Sequence, residues 1–133
     1  MSVEPRQALL AHLRADPAVQ EAVGTRVYQR RVPEGAEKPL IVIYPTISRV
    51  PNRILSGVAY HQARLQVTCM ADTQPEAEKA AKAVIEATEG FTGLMAGALN
   101  VILATVDNDR QTDQDGVDEI HHHVDMMIIY KEE

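Results

Sequence analysis

Between residues 59 and 70 the chain alternates with a period of two. His61, Ala63, Leu65, Val67 and Cys69 fall on one side, and Tyr60, Gln62, Arg64, Gln66 and Thr68 on the other. Successive side chains of a strand point to opposite faces, so this stretch reads as a half-buried antiparallel strand. The pattern returns near the end of the chain, where Ile120, His122, Val124, Met126, Ile128 and Tyr130 share one side. At ~3.3 Å per residue, 119–130 would reach about 40 Å unbroken. A bulge, or an overhanging end that meets another subunit, is expected there. Leu40–Tyr44 (LIVIY), bounded by Pro39 and Pro45, reads instead as a short strand buried on both faces.

Helices are marked by their punctuation. In 5–15, Pro5 suits a first turn and Leu9, Leu10 and Leu13 share a face. Asp16-Pro17 ends that helix and starts a short second one, with Asp16 as N-cap and Gly24 as the stop. Thr73 and Glu76 have the spacing of a capping box around Pro75, which predicts a third helix to about Thr88, closed by Gly90. Its inner face, with Ala77, Ala80, Ala81, Val84 and Ile85, is small enough to lie close on a sheet.

The remaining segments are weaker. Thr25–Lys38 reads as irregular with a short extended piece at Val27-Tyr28, and 46–58 as a long exposed loop. Residues 91–99 read as a Gly-broken connection, 100–106 as a strand, and 107–118 as a polar loop. The predicted order is helix, helix, strand, strand, helix, strand, strand. That is an α+β domain spanning residues 1–133, with an antiparallel, mostly four-stranded sheet packed against two to three helices.

Composition narrows function by exclusion. The 45% hydrophobic and 24% charged residues are those of a globular protein, and no apolar run approaches the ~20 residues of a membrane span. The N-terminus lacks the basic start and apolar stretch of a signal peptide, and a single cysteine cannot build a disulfide framework, so a cytosolic setting is expected. With no Trp, one Phe and a net charge of −6, the chain lacks the aromatic platforms and basic groove of a nucleic-acid binder.

The charge is uneven. Gly24–Gln66 holds seven basic residues against two acidic ones, and Val67 to the end holds fourteen acidic against four basic. Asp107, Asp109, Asp113, Asp115, Asp118 and Glu119 are opposed locally only by Arg110. Such a split suits either solvated loops or a flank that complements the opposite flank of a neighbouring copy.

Candidate chemistry is sparse. On a strand, His121, His123 and Asp125 would share a face and could present donors to a transition metal. Residues two apart along a strand stand ~6.5–7 Å apart, however, and no C-x-x-C or H-E-x-x-H accompanies them. Histidines packed against neighbours, His61 among them, are the plainer expectation. Cys69 sits in the apolar alternation as a core thiol. Ser48 and Ser56 lack a G-x-S-x-G setting, the carboxylates of 107–119 lack a sheltered cleft, and no phosphate-binding glycine motif occurs. Neither an enzyme nor a cofactor is expected.

Several segments, taken in order, resemble the phage tail-completion family, the tail terminators of long-tailed phages and prophages. They are Ala22-Val23-Gly24-Thr25-Arg26-Val27-Tyr28, Pro33, Pro39-Leu40-Ile41-Val42-Ile43, Arg64-Leu65-Gln66-Val67 and Pro75-Glu76-Ala77-Glu78-Lys79-Ala80. The histidine run and the acidic 107–119 segment lie outside that pattern. The resemblance implies a structural virion protein, assembled in the host bacterial cytoplasm. It implies a homo-hexameric ring that caps the tail tube, stops its polymerisation and joins it to the head-side connector, with DNA passing through without specific binding. In such a ring, Arg30, Arg31, Arg49 and Arg53 are expected near the acidic flank (Asp107, Asp109, Arg110, Asp113, Asp115) of the next copy, and 46–58 and 107–118 at tube and connector. The alternative readings are a small α+β adaptor or other head–tail connector component, and a metal-binding protein using the histidines.

Overall fold

The computed structural model describes residues 4–44, 48–55, 58–113 and 119–131, with side chains described outside 45–59 and 113–118. Within them the order is α1 (Pro5–Ala15), α2 (Pro17–Val23), β1 (Val27–Gln29), β2 (Leu40–Ile43), β3 (Ser48–Leu55), β4 (Val58–Ala71), α3 (Gln74–Thr88), β5 (Gly93–Met95), β6 (Leu99–Asp113) and β7 (Ile120–Lys131).

The helix limits follow the punctuation. Asp16 Oδ1 accepts the N–H groups of Ala18 (3.0 Å) and Val19 (3.1 Å), satisfying donors that the first turn of α2 leaves open. At α3, Thr73 Oγ1 accepts the Glu76 N–H at 3.4 Å and donates to the Glu76 carboxylate at 2.8 Å. The chain leaves α2 through Gly24 at φ +64° and α3 through Gly90 at φ +78°, where a Cβ would be strained.

The sheet runs β1-β2-β4-β7-β6-β5, and β3 pairs with β4 beyond the stretch that β2 occupies. Among the described residues only β1 and β2 run parallel, so the sheet is mixed. Seven strands among the described residues replace the four expected for the sheet. Part of the expected loop 46–58 is β3, the polar stretch 107–113 is the second half of β6, and Gly93–Met95 forms a short outer strand. The predicted overlong last strand is β7, which pairs with β4 without a break from Ile120 to Tyr130. The irregularities fall on its other neighbour: β6 carries one extra residue at Ile102 and another at Asp107. Each bulge absorbs twist and re-aims the side chains that follow.

One face of the sheet is covered by the helices. Leu9, Leu13, Val19 and Val23 from α1 and α2, and Ala80, Ala81 and Val84 from α3, share a cluster with Leu65, Val67, Val124, Met126 and Ile128, all essentially inaccessible. All four residues of β2 are buried, as its uninterrupted apolar run predicts. The apolar series of both alternations, 59–70 and 119–130, face the helices, but on the polar side of β4 Thr68 is fully buried as well, so the contrast between the two sides is lost at that position. Each fully buried Leu, Ile or Met there contributes ~1.5–3 kcal/mol of transfer free energy, so this face holds the fold together.

Candidate interaction surface

The opposite face of β4, β7 and β6 carries a ladder of polar side chains. The pairing sets Arg64 opposite Met127, Gln66 opposite Asp125 and Thr68 opposite His123, with Asn108, Arg110 and Thr112 of β6 opposite Asp125, His123 and His121. Arg64 pairs with Asp107, whose bulge position turns it toward β4. Asp125 accepts from Gln66 Nε2 at 3.2 Å and from Arg110 Nη1 at 2.7 Å. His123 sits between two hydroxyls, with Nδ1 2.9 Å from Thr68 Oγ1 and Nε2 3.1 Å from Thr112 Oγ1. Either tautomer is satisfied, since each threonine can donate or accept. Two guanidinium groups and two carboxylates on this face thus find their countercharges within the same subunit.

A second cluster ties the chain ahead of β2 to the start of β7. Lys38 Nζ is 2.8 Å from Glu119 and 3.7 Å from Asp72, and Glu119 also meets His121 Nε2. The hydrogen bonds from Lys38 and His121 hold the Glu119 carboxyl below the usual carboxylate range, and the bond to Glu119 raises Lys38. The His123 imidazole is pushed below its ordinary value, first by burial and then by the nearby charge of Arg110.

These contacts engage the three donors considered for a metal: His121 with Glu119, His123 with its two threonines, and Asp125 with Gln66 and Arg110. Among the described residues no group of three or more His, Cys, Asp or Glu is placed to hold an ion. His121 and His123 do share a face, their rings 6.0 Å apart edge to face. His61 lies apart from them and stacks on Tyr130. His122 turns to the helix side, where Nε2 meets Asp109 Oδ2 at 2.8 Å. Cys69 is fully buried in the core, and burial pushes its thiol up to about 12.

The charged residues expected at subunit contacts separate onto two flanks. Arg30 and Arg31 are exposed just after β1, at one end of the strand order, and Arg49 and Arg53 lie on β3, which is on the same side of β4. Asp107, Asp109, Arg110 and Asp113 lie on β6, across β4 and β7 from them. Asp115 lies outside the described residues. Sequence reasoning missed Lys38, Gln66, Thr68 and Thr112 as ladder or cluster members. The alternation puts Gln66 and Thr68 on the side away from the helices, where Thr68 is nonetheless fully buried, but which strand lies beside them is decided by register.

Among solved structures, the fold is similar to a chain of the virion of a native gene transfer agent particle. The TM-score is 0.76 over 97% of this chain and 95% of that one, at 19% sequence identity. That likeness defines the class as an α+β fold shared with a virion component. A comparison with curated proteins finds no match. The family model of tail completion protein gp17 matches residues 7–131, so the chain belongs to the tail completion protein family and is a structural tail protein.

Proposed function

We propose that this chain closes the end of a phage-type tail tube. Several copies, six by the family resemblance, form a ring that seats on the last ring of tube protein, ends polymerisation and offers its other side to the head connector. The observation that carries this reading is the family match over nearly the whole chain, 7–131. Two features of the fold support it. Those of the charged residues suggested for subunit contacts that lie among the described residues fall on opposite flanks of one sheet, as head-to-tail assembly requires. The uncovered face neutralises its own charges, which lets a partner bury it without leaving an ion unpaired.

In this reading the protein works by shape, performs no reaction and belongs to the virion, having been assembled in the host cytoplasm. Rim ion pairs from Arg30 and Arg31 guide approach and register and contribute only ~0–1 kcal/mol each. DNA passes the ring without specific contacts, consistent with the chain's net charge of −6. The test is light scattering of the purified protein across salt concentrations, with and without tail tubes. Ring-sized particles or tube-bound protein are expected. A monomer under every condition, absent from the tubes, would overturn the proposal.

A further inference from the structure

We infer that neighbouring copies join by strand addition, the outer edge of β3 in one copy pairing with the outer edge of the second half of β6 in the next. The inference deepens the ring reading and rests on it, because it names the surfaces through which the copies meet.

The first support is the state of the two edges. Among the described residues β3 pairs only with β4, which leaves its other edge without a strand partner. β6 is fifteen residues long, yet β5 covers only Leu99–Val101. The Gly90 N–H donates to the Ala104 carbonyl, the Ala104 N–H donates to the Phe91 carbonyl, and the Glu89 carboxylate takes the Val106 N–H. From Asp107 to Asp113 no described strand lies outside β6. An edge of this length is a template for another strand.

The second support is direction. β3, β4, β7 and β6 form a path of four strands in which every neighbouring pair is antiparallel. Because the number is even, β3 and β6 point in opposite senses. A second copy in nearly the same orientation, as cyclic symmetry places it, therefore brings its β6 antiparallel to the β3 beside it. The alternation continues from copy to copy without a parallel junction. An odd number of strands would have broken it.

The third support is charge, which selects between edges. The β3 sequence SRVPNRIL carries two arginines and no acid, and DNDRQTD carries three aspartates against one arginine. Asp107 is met by Arg64 and Arg110 by Asp125 within the subunit, so the acidic character offered to a neighbour rests on the positions of Asp109 and Asp113. Asp109 remains exposed although it meets His122. Two-fold pairing of like edges would oppose arginines to arginines or aspartates to aspartates, whereas pairing of unlike edges brings opposite charges together. Like charges across a strand pair are destabilising, so the head-to-tail arrangement is preferred over a closed dimer. Pro51 falls within the irregularity between Val50 and Arg53 and removes one donor. It keeps β3 from supporting a long ladder and limits indiscriminate stacking.

The experiment is pairwise disulfide trapping in the full chain. Arg49→Cys and Arg53→Cys are each mixed with Asn108→Cys and with Thr112→Cys under mild oxidation, after confirming by circular dichroism that each variant is folded. Cys69 is buried and stays silent. Expected are cross-links in at least one β3–β6 mixture and none within a single variant. In parallel, reversing both arginines to glutamate should weaken assembly about tenfold or more, and adding Asp109→Arg with Asp113→Arg should restore it. Rings that form normally with no β3–β6 cross-link and no charge effect would overturn this inference and leave the ring reading standing. Cross-links within one variant would show like edges pairing and also overturn it. A chain that never assembles, even on tube ends, removes the ring reading and this inference with it.

Discussion

Leu65 and Gln66 are neighbours in sequence on β4, one facing the helices and the other the uncovered face, and they provide a direct measure of what each face contributes. Leu65 is fully buried in the core cluster. Truncating it to Ala removes three carbons, ~2.4 kcal/mol at about 0.8 kcal/mol per buried carbon, and the cavity left behind brings the cost of Leu65→Ala to about 3–4 kcal/mol. Unfolding entropy of ~2.1 cal/mol/K per residue converts this to a fall in Tm of roughly 11–14 °C for a chain of this size. Gln66→Ala loses the 3.2 Å bond to Asp125 at a partly exposed position, and Asp125 keeps Arg110. Its cost should stay near or below about 1 kcal/mol. Urea unfolding followed by circular dichroism, at two protein concentrations to separate folding from association, gives both values. Equal costs for the two variants, or a loss below about 1 kcal/mol for Leu65→Ala, would refute the assignment of the two faces.

Three further outcomes follow from local geometry. Asp16→Ala removes the acceptor of two α2 N–H groups and should cost about 1 kcal/mol in the same unfolding assay, whereas Asp16→Asn should cost much less. His123 has a folded pKa below its ordinary value, so the unfolded chain takes up the proton first; its contribution is intact above ~6.5 and is lost as pH falls from there toward the folded value. His123→Gln should flatten that part of the stability profile. The fall carried by Glu119, also lowered, should persist below its ordinary value in the more acidic range. Cys69, buried and with its thiol raised to about 12, should react with a thiol reagent only as fast as the chain unfolds.

The parts of the fold legible in the sequence are those where local chemistry and burial agree. Asp16-Pro17, Thr73 with Glu76, Gly24 and Gly90 mark helix ends because they satisfy or release backbone groups wherever the helix lies. The alternations through Leu65 and Met126 are visible because helices cover one face and not the other. β3 was hidden since Pro51 and Asn52 read as loop residues, and its place comes from pairing with β4. The 107–113 half of β6 was hidden for two reasons. Both of its sides carry polar residues, so no alternation of hydrophobicity marks it, and the bulge at Asp107 switches the side on which residues point. β5 is three residues flanked by glycines and is defined by its partner.

The ladder on the uncovered face was unreadable for a related reason. Gln66, Asp125 and Arg110 come from three strands, and one residue of slip would separate them. The charge split between Gly24–Gln66 and the later part of the chain was legible. Its meaning changed once the strand order put β3 and β6 on opposite flanks, while Asp107, Asp109 and Arg110 each also gained a partner inside the subunit.

The most direct measurement is the length of tail tubes polymerised from tube protein with and without this chain, read from negatively stained images together with the tips. With the protein present, growth should stop and a ring should sit at one end of each tube. Tubes that lengthen at an unchanged rate with bare tips, at protein concentrations in excess of tube ends, would contradict the account.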